Sequence, residues 1–258
     1  MDRVREGFDR FTGRAAAYDR YRERYPVAMV LDRLRSWCGL QPNWIVADIG
    51  AGTGMLSEVF LCNGNPVLAI EPNQEMRAAC EQLSARFPLL QVRHGSAEET
   101  GLGANSVAVV AAGRTFHWFD IPRALLEFER ILQPNGWLVL VSQGRAKEKT
   151  PQFLAFEDLL MEHGADYACM RASYSVHEDL DRVFTADRHS EEIPGQQILD
   201  WDGLLGQAMS FSVAPQPHPA GFAGFERRLR EFFHAYAVDG LLTVPPSSWI
   251  NTGRIGSR

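Results

Sequence analysis

Ile45-Val46-Ala47-Asp48-Ile49-Gly50-Ala51-Gly52-Thr53-Gly54 is the stretch from which the rest of the chain is read. Ile45 to Ile49 is a short apolar run carrying one acid, Asp48, and it runs into a glycine cluster. That pattern predicts a buried strand feeding a tight turn. Glycines there allow left-handed torsions and a close approach of backbone to ligand. Met55 to Cys62 follows as a helix, stopped near Asn63-Gly64-Asn65-Pro66.

The same rhythm continues downstream. Val67 to Ile70 is a second buried strand ending at Glu71-Pro72, and Asn73 caps a helix reaching about Arg86. Leu89 to Val92 is a third strand after Pro88, and Ser106 to Ala112 a fourth. Pro122 suits the first turn of a helix to about Leu132, Pro134-Asn135-Gly136 a turn, and Trp137 to Val141 a fifth strand. Strands alternating with helices at this spacing predict an α/β, doubly wound, mainly parallel sheet with helices on both faces. After Ser142 the rhythm changes: 143–239 reads as mostly helix and loop, and Leu241 to Val244 and Trp249 to Ile255 as two closing strands. The expected organisation is an N-terminal helical arm over 1–40, a core over 41–142, a helical cap over 143–239 and closing strands over 240–258.

A chain of 258 residues, 45% of them hydrophobic, buries a sizeable core without staples. The net charge of −6 argues against nucleic acid or an anionic membrane surface as the main partner. Cys38, Cys62, Cys80 and Cys169 form no C-x-x-C pair, so reduced thiols are expected and no metal site. Met1-Asp2-Arg3-Val4-Arg5-Glu6 is charged with no apolar stretch behind it, and no run approaches the roughly 18 apolar residues of a membrane span. A cytoplasmic protein, monomeric or weakly dimeric, is the expectation.

Glu71 lies 21 residues after Gly50, where a carboxylate accepts hydrogen bonds from both hydroxyls of a ribose. A strand-end glycine loop with that acid suits an adenosine-containing cofactor, its helix N-terminus adding oriented N–H donors. A dinucleotide fingerprint wants G-x-G-x-x-G. Here the order is G-x-G-x-G, with Met55 where the third dinucleotide glycine would fall and Asp48 two residues ahead of Gly50. A compact loop led by a carboxylate fits a cofactor with a cationic amino acid tail and no pyrophosphate.

At this point the resemblance to a family is plain. Asp48 to Gly54 resembles the first motif of class I S-adenosylmethionine-dependent methyltransferases, and Glu71-Pro72 the second. Gly95-Ser96-Ala97-Glu98 is similar to the segment the family places beside adenine, and Phe116-His117-Trp118-Phe119-Asp120 and Pro134-Asn135-Gly136-Trp137 resemble the type 11 branch. Phe11-Thr12-Gly13-Arg14, Tyr18, Tyr21 and Tyr25-Pro26 look like the N-terminal arm of small-molecule members, including trans-aconitate-methyltransferase-like proteins. Asn135 departs from the family's usual glycine, but Asn tolerates the left-handed conformation. The closing segment reads Pro245-Pro246-Ser247-Ser248-Trp249 where the family has a Tyr-Thr pair.

The resemblance implies a seven-stranded Rossmann-like methyltransferase fold with an antiparallel closing strand. It implies S-adenosylmethionine as cofactor, S-adenosylhomocysteine as product, and a small-molecule methyl acceptor. Gly50, Ala51, Gly52 and Gly54 form the loop under the methionine portion, with Asp48 leading it and Glu71 on the ribose. Pro72, Met76, Ser96, Ala97 and Glu98 belong near the adenine, and Ala112 and Gly113 beside the sulfonium. Arg14 and Tyr18 are expected to fold over the cofactor as a lid, with Tyr18 or Arg14 meeting its carboxylate. His117 and Trp118 follow the fourth strand towards the acceptor; His117 is either a general base or a structural histidine.

Phe153, Phe156, Tyr167, Met170, Tyr174, Trp201, Met209 and Phe211 read as the cap's own core, a few lining the acceptor pocket, with Arg171 and Arg182 as candidates for an anionic acceptor. An O- or C-methyltransferase is the leading reading. A nicotinamide-dependent dehydrogenase and a non-catalytic methyltransferase-like binding protein are the alternatives. No Asn-Pro-Pro-Tyr-type segment ends the fourth strand, which argues against an amino-group-methylating enzyme of nucleic acid or protein.

Overall fold

A computed structural model describes residues 10–145, 150–165, 167–168, 180–215 and 219–256. Met1 to Glu6, Cys169, Met170, Arg171 and Tyr174, named above, lie outside the described residues. The sheet forms around β1 (Val46–Ile49), whose four residues are all buried. β1 pairs in parallel with β2 (Val67–Ile70) on one side and β4 (Val107–Gly113) on the other. β3 (Leu90–Arg93) extends one flank and β5 (Leu132–Arg145) the other. β9 (Pro246–Arg254) then runs antiparallel to β5, and β6 (Ala186–Pro194) antiparallel to β9. The order is β3-β2-β1-β4-β5-β9-β6: seven strands with β9 alone reversed.

Period-two alternation gives this sheet two apolar faces. Val46, Val109, Ala111, Val139 and Val141 pack with Leu34 and Phe60, from α2 (Val27–Cys38) and α3 (Met55–Cys62). Ala47, Ile49, Val110, Leu138 and Leu140 pack on the other face with Phe128 and Ile131 of α5 (Ile121–Ile131). Helix starts follow the side chains that can cap them. Asn73 accepts the Met76 N–H at 3.0 Å to open α4 (Gln74–Glu81). Thr150 accepts from Phe153 N at 3.1 Å for α6 (Pro151–His163), and Asp200 from Gly203 N at 2.8 Å for α7 (Trp201–Met209).

The expected closing strands are corrected in one respect. β8 (Leu242–Val244) is not in the large sheet; it pairs with β7 (Gln197–Leu199) as a separate two-stranded ribbon. The second closing strand is β6, from the segment expected to be helix and loop. Its sequence, Ala186-Asp187-Arg188-His189-Ser190-Glu191-Glu192-Ile193-Pro194, is charged because an edge strand faces water and is protected by charge. Arg33 of α2 grips Glu191 through two bonds of 2.7 Å, and Trp37 stacks on His189 at 5.4 Å.

Pro134-Asn135-Gly136 lies within β5 as an irregularity, the register against β4 jumping from Val107–Leu132 to Val109–Trp137. Asn135 takes φ 63°, the left-handed torsion foreseen for it. The cap gathers α6, α7, α8 (Pro219–Tyr236) and the ribbon around Phe156, Leu160, Phe225, Leu229 and Leu242. Tyr167 is buried in that core, and Trp201, Met209 and Phe211 pack against it. Cys38 and Cys80 are buried free thiols, pushed up to about 11 and about 12 by burial. No helix of the described residues is long and apolar enough to cross a membrane.

Candidate active site

In an open α/β sheet, ligands bind beyond the carboxyl ends of the strands, where strand order reverses. A cavity of about 790 Å³, its open mouth included, lies there, at the ends of β1, β2 and β4. The glycine loop forms one wall: Asp48, Gly50, Ala51 and Gly52 all line it. Gly50 takes φ 65°, and a Cβ there would lie 2.8 Å from Thr115 Oγ1, so both torsion and packing require glycine. Gly52 takes φ 58°, and its Cβ would meet nothing within 4 Å. The backbone at Gly52 therefore leaves open space over the loop for a ligand.

Two carboxylates face this space. Asp48 is fully buried; Ser57 Oγ donates to its Oδ2 at 2.6 Å, while Oδ1 is buried with no hydrogen-bond partner. Burial pushes its carboxyl up to about 7; the Ser57 bonds oppose that rise, and nearby Glu71 adds to it. Glu71 accepts Gly52 N–H on Oε2 and Asn73 N–H on Oε1, each at 2.8 Å. It too is raised by burial, against those two bonds and Arg77. The loop and the end of β2 are thus joined by one buried acid.

The N-terminal arm closes the cavity. Phe11, and Tyr18 of α1 (Ala15–Tyr21), both line it. The arm is tied to α4 by Gly13 N donating to Glu75 Oε2 at 2.5 Å and Asn73 Nδ2 to Thr12 Oγ1 at 3.1 Å. Its other end is tied to the cap. Arg14 donates to Met209 O at 2.8 Å and Ala214 O at 2.6 Å, Gln207 Nε2 donates to Glu23 Oε1 at 3.2 Å, and the Tyr21 ring lies against Gly206.

Of the sequence candidates, Tyr18, Asp48, Gly50, Ala51, Gly52, Glu71, Pro72, Met76, Ser96, Ala97 and Gly113 meet around the cavity. Five do not line it. Arg14 is turned into the cap, where its guanidinium satisfies the carbonyl of Met209 at the end of α7 and that of Ala214 beyond it. Gly54 is the N-cap of α3 at φ 87°, where a Cβ would lie 2.6 Å from Leu83 Cδ1. Glu98 accepts Asp120 N–H at 2.9 Å, Ala112 packs into the core under β4, and His117 sits in a short 3-10 turn, tilted 41° on Trp118. Trp118 and Phe119 line the cavity in its place. Arg182 is exposed and does not line it.

Arg114, Thr115, Met55 and Leu56 line the cavity without having been assigned from the sequence, and Tyr25 joins them from the arm. Arg114 takes φ 58°, a left-handed torsion costing a long side chain on the order of 1–3 kcal/mol. Its guanidinium lies 4.8 Å from the Tyr25 ring and 5.6 Å from that of Tyr18. Burial pushes the Tyr25 phenol up to about 12, the Arg114 charge opposing that rise. The signal in the sequence was the position itself, one residue past the strand that ends at Gly113.

A mostly parallel sheet with one reversed strand, a glycine loop after β1 and an acid after β2 define a Rossmann-like methyltransferase fold. The chain superposes on a provisionally assigned type II methyltransferase from Anaeromyxobacter dehalogenans with a TM-score of 0.65 at 22% identity, covering 92% of this chain and all of the other. Residues 47–140 match the family model for the type 11 methyltransferase domain. An uncharacterized methyltransferase of Geobacillus kaustophilus is 30% identical over 190 residues, 70% of this chain and 82% of that protein. One from Mycobacterium bovis is 36% identical over 131 residues, so the match spans about half the length of each chain. The chain belongs to the type 11 family of methyltransferases, whose methyl donor is S-adenosylmethionine. A nicotinamide-dependent dehydrogenase is not the family of this chain.

The residues present fit that donor. An orphaned buried carboxylate oxygen on Asp48 suits a cationic amino group, and the open space over Gly52 suits the chain of a methionine.

Proposed function

We propose that the protein is an S-adenosylmethionine-dependent methyltransferase acting on a small-molecule acceptor, by in-line transfer to oxygen or carbon. The observation that carries this reading is the Asp48–Gly52–Glu71 wall, which offers two buried carboxylates and an open backbone cradle to one ligand. Bound there, S-adenosylmethionine supplies an electrophilic methyl on a good leaving group.

The chain's own residues then do three things. Asp48 and Glu71 receive ammonium and ribose hydroxyls, while Gly50 and Ala51 keep the loop low beneath the donor. Pro72, Met76, Ser96 and Ala97 bound the adenine, and Gly113 leaves room where donor and acceptor meet. Tyr18, Phe11 and the arm exclude water. Arg14, Gly54, Glu98 and Ala112 act one step back, by holding the arm, α3, the turn before α5 and the β4 backbone.

Orientation in such a site contributes on the order of 7–11 kcal/mol in the best cases. No base is invoked: the Tyr25 phenol is pushed up to about 12, and His117 is held off the cavity wall. Calorimetry with S-adenosylhomocysteine, then labelled methyl transfer to a panel of small acceptors, tests the reading. Tight NAD binding with no S-adenosylhomocysteine binding overturns it. Binding without turnover of any acceptor favours the non-catalytic alternative.

A further inference from the structure

Arg114 is the cavity feature that the donor site does not absorb. Its bonding is weak for a buried cation. Nη1 donates to Glu23 O and Gln143 Oε1, each at 3.3 Å, and Nη2 lies 3.0 Å from Met55 Sδ. Nε is buried and has no hydrogen-bond partner. Among the described residues no carboxylate lies within 4 Å of the guanidinium. Burial opposes this charge, and Tyr18, Tyr25 and the Glu23 carboxylate, the last from beyond ion-pair distance, sustain it; buried charges are normally paired at closer range. The left-handed backbone at Arg114 adds a second cost at the same residue. An incompletely bonded guanidinium on a left-handed backbone, set in a cavity wall, points to a ligand that completes the pair.

The position says which side of the cavity that ligand occupies. Asp48 and Glu71 sit at the ends of β1 and β2. Arg114 follows β4, its N–H bonds Val141 O of β5 at 3.0 Å, and its side chain reaches Gln143 of β5. It therefore stands on the flank away from Glu71. A cation there repels a sulfonium unless an anion lies between them.

We propose that Arg114 is the anion receptor of the acceptor side of this cavity, its guanidinium pairing with a carboxylate carried by the methyl acceptor. The planar fork presents two parallel N–H donors to such a group, which an ammonium does not. Tyr18, Tyr25 and Trp118 bound the same space with aromatic surface, suiting an acceptor with an apolar body and one anionic end. This rests on the methyltransferase reading and assigns the acceptor's charge within it.

The test is titration of benzoate and succinate, each against its neutral amide, into the protein with and without S-adenosylhomocysteine. The expected result is at least a tenfold preference for the acid over its amide. That preference is lost in Arg114→Gln and reduced in Arg114→Lys. Equal binding of acid and amide to the wild type overturns the proposal, as does a preference that survives Arg114→Gln. The cofactor's own carboxylate is the other source of the same chemistry, and a second arm separates it. S-adenosylhomocysteine affinity is expected to stay within threefold in Arg114→Gln. A tenfold loss there, matched by an equal loss when the wild type meets a decarboxylated cofactor analogue, assigns Arg114 to the donor and overturns the acceptor role. A wild type that binds no S-adenosylhomocysteine but still prefers acids overturns the methyltransferase reading and leaves the anion receptor standing.

Discussion

Replacing Asp48 by Asn separates what this buried acid costs the fold from what it gives the ligand. Asp48 is pushed from 3.8 to about 7 in the folded chain, chiefly by burial. Between those values the native state holds a proton that the unfolded chain has released, so stability from this group falls as pH rises through that window. Above pH 7 the full shift of about 3 units applies, worth on the order of 4 kcal/mol against the fold. Asn removes that cost and keeps an oxygen for Ser57 Oγ, losing about 1 kcal/mol as a charged bond becomes neutral. Asp48→Asn should therefore be more stable than wild type at pH 8, by about 2–3 kcal/mol. In a chain of this size that is a rise of roughly 4–12 °C in Tm. The advantage should shrink by about 3 kcal/mol on going to pH 5, where the native carboxyl is protonated.

Ligand binding should move the opposite way. Asn cannot neutralise an ammonium, so S-adenosylhomocysteine affinity should fall on the order of 10–100-fold at pH 8. Wild-type affinity should itself weaken by nearly tenfold per unit below pH 7, because the ligand selects the ionised acid, while the variant's stays flat. Thermal melts and calorimetry across pH 5–8 read both. A variant less stable than wild type at pH 8, or one binding as tightly with the same pH slope, refutes the reasoning.

Other substitutions probe the remaining walls. Gly52→Ala places a Cβ in the open cradle and strains a φ of 58°, so donor affinity should drop tenfold or more by calorimetry. Gly206→Ala would gain about 1 kcal/mol of helix propensity in an open helix. Here its Cβ lies 2.4 Å from the Tyr21 ring, so Tm should fall by the equivalent of about 1–3 kcal/mol; a higher Tm contradicts the seating of the arm. His117→Ala should change kcat by less than tenfold in the labelled-transfer assay, since the imidazole does not line the cavity; a thousandfold loss restores it as a base. Arg33→Ala, breaking a half-exposed pair with Glu191, should leave the midpoint of a denaturant melt nearly unchanged, because solvent screens the pair.

What was legible in the sequence is what local chemistry dictates. Val46 to Ile49 was legible as a buried strand because, Asp48 apart, its residues are apolar on both faces. Gly50, Gly52 and Glu71 were legible because torsion and spacing carry the signal. β6 was not: an edge strand rich in charge looks like a solvated loop until β9 is laid beside it. Leu242–Val244 read as a strand correctly, but nothing in three residues says which sheet it joins. Arg14 was read towards the cavity from the family resemblance of the arm. Only the carbonyls of Met209 and Ala214, some 200 residues on, turn its guanidinium the other way. Arg114 passed unnoticed because one arginine after a strand carries no pattern; its cost appears only once its neighbours are known.

The arm's two moorings have a mechanical meaning. One holds to α4, whose cap Asn73 lies two residues past Glu71; the other holds to α7 in the cap. The arm is thus a tie rod between the two halves of the site, so a displacement of the cap pulls on the backbone around Glu71 and Asn73. A ligand whose binding shifts the cap would thereby change affinity at the Glu71 wall, and by equal free energy in both directions.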